Sequence, residues 1–101
     1  MNVLDKLAST DFAPYLNQTF LVRLDEIEPI ELELVSVTKT GPASQPGTRD
    51  PFSLHFLGPV SPQYLTQHIY RLEHEQVGTL ELFIVPLGSE SGRMRYEAIL
   101  T

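Results

Sequence analysis

Apolar and polar residues alternate along most of this chain, the period-two pattern of strands that bury one face. Tyr70-Arg71-Leu72-Glu73-His74 and Leu80-Glu81-Leu82-Phe83-Ile84 flank a short polar segment that ends in Gly78, which predicts an antiparallel hairpin. Pairing Leu72 with Leu80 sets Tyr70 against Leu82 and His68 against Ile84, while Arg71 meets Glu81 on the other face. A second hairpin is predicted over residues 19–37. There Phe20, Val22 and Leu24 match Leu34, Leu32 and Ile30, and Arg23 falls beside Glu31. Beyond Leu34 the apolar phase moves to Val35 and Val37, which predicts a bulge or sharp bend.

Phe52 to Leu57 reads as a further strand, ended by Gly58-Pro59. Residues 93–100 read as the last, turning Met94, Tyr96, Ala98 and Leu100 to one side, with Leu87 to Gly92 as the turn before it. The fold class is therefore all-β: six antiparallel strands in a small barrel or a two-sheet sandwich, with a short N-terminal helix. Periodicity does not choose between the two architectures. Residues 2–9 carry the helix signal, with Asn2 as N-cap and Val3, Leu4 and Leu7 on one face. Phe12, Tyr15 and Leu16 then anchor a capping turn that either covers one end of the sheet or offers a handle to a partner. Residues 39–51 hold three prolines and two glycines, which exclude a helix and predict a long flexible loop.

A chain of 101 residues is one domain, 1–101. Seven basic against thirteen acidic residues give a net charge of −6 and no cationic stripe, so nucleic acid is not an expected partner. No apolar run approaches the roughly 20 residues of a membrane-spanning helix, so no membrane partner is expected. The first ten residues lack the pattern of a secretory signal, which makes a cytoplasmic location the expectation, or else a place in an assembled extracellular or tail-like structure. The absence of cysteine removes disulfides, thiolate nucleophiles and zinc–thiolate sites together.

Candidate chemistry is sparse. His68 and His74 share a strand face, but six residues of extended chain span roughly 20 Å, too far for one metal ion. No metal and no cofactor are expected. Glu31 and Glu33 lie about 7 Å apart on a wet face, a spacing that overlaps glycosidase carboxylates and equally keeps a sheet solvated. Serines and histidines allow a nominal triad without a nucleophile elbow. No catalytic residue is assigned, and an enzyme is not the expectation.

Ile69, Phe83, Val85 and Ile99 fall on the nominally wet faces of the last three strands. They form either a partner-binding face or the underside of a covering layer. Arg49 is the candidate contact residue of the 39–51 loop. The first functional expectation is a non-enzymatic interaction or assembly module that binds a protein partner or a second copy. The second is a small-ligand or carbohydrate-binding domain, with Tyr15, Tyr64, Tyr70 and Tyr96 around a barrel mouth.

Several motifs in order carry a resemblance. They are Asp11-Phe12-Ala13-Pro14, Thr19-Phe20, Leu32-Glu33-Leu34-Val35, Arg49-Asp50-Pro51-Phe52-Ser53-Leu54, Tyr70-Arg71-Leu72-Glu73-His74, Gly78 with Leu80-Glu81-Leu82-Phe83, Val85-Pro86 and Arg95-Tyr96-Glu97-Ala98. Over about residues 10–100 the chain resembles an uncharacterised family of small bacterial proteins classified as a domain of unknown function. The resemblance implies an accessory or assembly role beside phage-tail-collar-like fibre proteins, and it supplies no catalytic residues.

Overall fold

The computed structural model describes residues 9–24, 28–39, 51–61 and 64–100. Six strands alternate inward and outward side chains as the sequence pattern requires: β1 (Thr19–Arg23), β2 (Ile30–Lys39), β3 (Phe52–Val60), β4 (His68–His74), β5 (Gly78–Glu90) and β6 (Arg93–Leu100). They close into an antiparallel barrel in the order β1-β2-β3-β6-β5-β4, with β4 pairing back onto β1. The architecture is thus two three-stranded meanders joined through the β3–β6 and β1–β4 ladders. Closure removes the free sheet edges that a sandwich would leave. No helix among the described residues is long and apolar enough to cross a membrane.

Inward positions from all six strands fill the interior. Phe20, Leu34, Phe52, Phe56, Leu72, Ile84 and Tyr96 are at most 2% exposed. Phe20 and Phe56 meet edge to face, with ring centroids 5.7 Å apart. One end of the barrel is closed by α1 (Ser9–Phe12) and the 3₁₀ turn Ala13–Tyr15 that follows it. Phe12 is fully buried there, 5.7 Å from the ring of Phe52. Tyr15 packs partly against the core, whereas Leu16, expected as a third anchor, is exposed. The expected helix over 2–9 lies outside the described residues up to position 8, as do residues 40–50 of the long loop, with Arg49.

The β4–β5 register matches the sequence pairing at Tyr70–Leu82, Arg71–Glu81 and Leu72–Leu80. The β1–β2 register does not. Phe20 pairs with Leu32 and Val22 with Ile30, two residues away from the expected alignment. A slip of two keeps every side chain on its own face, so face patterning is blind to it. Arg23 consequently bonds not to Glu31 but to Glu73 on β4, at 2.8 Å. The bulge expected after Leu34 is present, between Leu34 and Ser36 against β3.

Two expected strand ends are overrun. β3 continues through Gly58-Pro59 to Val60, with its register against β6 shifting between Leu57 and Val60. Arg93 occupies that irregularity. Its Nε donates to the Gly58 carbonyl at 2.7 Å, and one terminal nitrogen donates to Leu57 O and to the Glu33 carboxylate. Gly58 itself is buried, and a Cβ there would stand 3.1 Å from Cε2 of Tyr96. An alanine would have to push a packed ring, so the position is glycine for closeness of approach and not for turning. β5 likewise runs on to Glu90 through a register shift between Pro86 and Gly88. The turn into β6 is only Ser91-Gly92, both at positive φ (53° and 82°), the two-residue loop whose twist suits a hairpin.

Candidate functional site

The outer face of β4, β5 and β6 carries the residues expected to meet a partner. Ile69 stands opposite Phe83 in the β4–β5 ladder. Val85 stands opposite Glu97 in the β5–β6 ladder, and continuing that register by two residues carries Ile99 to the level of Phe83. Ile69, Phe83 and Ile99 thus form one row across three strands, and they are 57%, 48% and 60% exposed. Val85, on the next row toward the β5–β6 turn, is half-buried beside Glu97. On the other side of the row lie Arg71 and Glu81, paired across the ladder and both exposed. Each row of the outer face is therefore polar or mixed except the central one.

A recess of about 390 Å³ lies at the barrel end away from α1, where β1 leads into β2 and β5 into β6. Leu24, Ile30, Pro59 and Met94 form its apolar walls, and Tyr64 and Tyr96 line it with aromatic rings. The Tyr96 hydroxyl accepts the Leu65 backbone N–H at 2.9 Å. Burial pushes the Tyr96 phenol above its ordinary pKa range, so it remains a neutral hydroxyl. Tyr70 bonds through its hydroxyl to the Thr66 carbonyl at 2.7 Å and stands near the recess. Tyr15 is at the opposite end, its ring tilted against that of His74 with centroids 4.9 Å apart. Of the four tyrosines expected around one mouth, two line it.

His55 and His74 are occupied separately, and exposed His68 meets the ring of Tyr70 edge to face. His74 Nδ1 accepts the backbone N–H groups of Gln76 and Val77, so its Nε2–H donates to Gln18 Oε1 at 2.7 Å. The ring also lies 4.7 Å from that of Phe20. It is thus the closing element of the β4–β5 turn. His74→Leu is expected to orphan two turn amides and cost about 1–2 kcal/mol in urea unfolding. A loss within experimental error would contradict that role. Among the described residues, no three His, Asp or Glu side chains converge for a metal ion.

The sequence did not single out one array that the fold assembles. Ser36 Oγ stands 2.9 Å from His55 Nδ1, and His55 Nε2 stands 3.0 Å from Glu97 Oε2, across three adjacent strands. The donors and acceptors match those of an acid–base relay, and the array lies outside the hollows of the surface. None of the three lines the barrel-mouth recess or the hollows beside Arg23 and His74. His55 sits on β3, which pairs with β2 on one side and with β6 on the other. The array is a cross-strand polar ladder across β2, β3 and β6. Glu33, half of the carboxylate pair, is held by Arg93 at 3.1 Å, which draws it away from Glu31.

The family model for a domain of unknown function, DUF6916, matches residues 7–100. The chain belongs to the DUF6916 family. That match spans the closing helix and all six strands, so the DUF6916 domain is the barrel as a whole. No curated protein and no solved structure matches the chain. In this DUF6916 barrel the outer row was legible as phase along β4, β5 and β6. The recess was not, because Leu24, Ile30, Pro59 and Met94 come from four separate strand ends that only closure brings together.

Proposed function

We propose that this DUF6916 protein is a non-enzymatic interaction module, an accessory part of a larger assembly, whose contact surface is the outer face of β4–β5–β6. One observation carries the reading: the Ile69–Phe83–Ile99 row is apolar and exposed, with polar or mixed rows on either side. An apolar centre with a polar rim is the anatomy of protein interfaces. The row amounts to roughly 300 Å², the size at which a monomer's largest apolar patch is often functional. It is less than the roughly 800 Å² per partner of a standard interface, so the rim supplies the remainder. Phe83 sits in the middle and is the expected anchor. An assembly beside fibre- or tail-type proteins, the setting that the family resemblance implies, is part of this proposal.

In-cell photo-crosslinking tests it. A photoreactive phenylalanine analogue at position 83 is expected to trap a discrete protein adduct, either a partner or a second copy. The same analogue at Glu31, exposed on β2 three strands away around the barrel, is expected to trap none. Equal capture at both positions, or none at 83, would remove the reading.

A further inference from the structure

The recess at the barrel end away from α1 is lined mainly by apolar and aromatic side chains. Among the described residues, every side chain lining it is uncharged, although the chain carries twenty ionisable Asp, Glu, Lys and Arg side chains. Its floor is closed by the packed interior, with Tyr96 only 2% exposed. A phenol hydroxyl accepts and donates. The Tyr96 oxygen takes the Leu65 N–H, and among the described residues its own proton has no acceptor. The recess therefore offers apolar walls, aromatic faces and one buried neutral donor held in place by a backbone bond.

We propose that this recess binds a small uncharged molecule that has an apolar ring or branched aliphatic body and one hydrogen-bond acceptor, such as a carbonyl, received by the Tyr96 hydroxyl. The size is in the range of small-molecule sites, where apolar walls supply affinity and a few polar groups fix orientation. Charged ligands are disfavoured, because none of the described lining residues carries a charge to repay the desolvation of an ion. The high pKa that burial gives Tyr96 keeps its proton available across neutral and mildly alkaline pH. This site is independent of the outer row: Ile69, Phe83 and Ile99 do not line it.

The test uses three probes of similar shape on the isotopically labelled full chain: acetophenone, benzene and benzoate. Acetophenone is expected to shift the amide resonances of Leu65, Tyr64 and Met94. It should bind about 5-fold tighter than benzene, the increment of one net hydrogen bond. Benzoate should bind more weakly than acetophenone. Tyr96→Phe is expected to erase the difference between acetophenone and benzene. Because that variant also strips the Leu65 amide of its acceptor, Met94→Lys, at a half-buried wall position, serves as a second variant and is expected to abolish binding of both. Benzene binding as tightly as acetophenone to the unaltered chain would overturn the role of Tyr96. Shifts confined to other regions, or none up to the solubility of the probes, would overturn the site. Phe83→Glu leaves the binding unchanged if the two surfaces are separate.

Discussion

Phe56→Ala is expected to lower stability by roughly 3–5 kcal/mol, the cost of truncating a buried aromatic in a close-packed interior. Phe56 is fully buried, meets Phe20 edge to face and pairs with Leu34 on one side and Tyr96 on the other. Three of its neighbours thus belong to three different strands. A closed barrel cannot collapse readily on the vacancy, because each strand is held by a ladder on both sides. Domains of this size have only about 5–15 kcal/mol in total. The thermal midpoint should therefore fall by more than about 10 °C, read by circular dichroism. A loss below about 1 kcal/mol would mean that the interior at Phe56 is not packed.

The second large effect concerns association. Phe83→Glu should weaken partner capture or self-association at least 100-fold, since burying an unpaired carboxylate against an apolar counterpart costs far more than losing the ring. Its cost to folding should be within about 0.5 kcal/mol, because Phe83 is already half exposed in the isolated chain. That split separates a contact surface from a structural one. Binding unchanged by the substitution would place the interface elsewhere, and a large loss of stability would mean that the row packs against the protein's own chain.

The sequence made the faces legible and left the neighbours unread. Alternation placed Phe20, Val22, Leu72 and Leu82 inside and Ile69, Phe83 and Ile99 outside, because side-chain phase follows from the pleat alone. The tight turn before Gly78 fixed β4 on β5 without ambiguity. Between β1 and β2 a longer connection left two registers of equal face quality, and the one adopted lets Arg23 reach Glu73. That partner is on β4, fifty residues away, and was invisible until the barrel closed.

Glycine and proline misled in a consistent way. Gly58-Pro59 and Gly88 carry the composition of strand ends, yet both lie inside strands at register shifts. At the first, Arg93 takes up the carbonyls that the shifted ladder leaves, and the Tyr96 ring fills the space where a Cβ would be. Neither compensating residue is near in sequence. The same distance hid the Ser36–His55–Glu97 ladder and the lining of the recess. A row carried by one strand face was legible, whereas features built by closure were not.

The most direct test of the outer row uses the chain's lack of cysteine, which lets a single thiol report its own surroundings. Ile69→Cys and Glu31→Cys are compared for maleimide labelling, once as purified protein at high dilution and once in native extract of the host. The thiol at position 69 should react quickly when dilute and be strongly protected in the extract, while the thiol at 31 reacts equally fast in both. Equal reactivity at position 69 in the two settings would contradict the account.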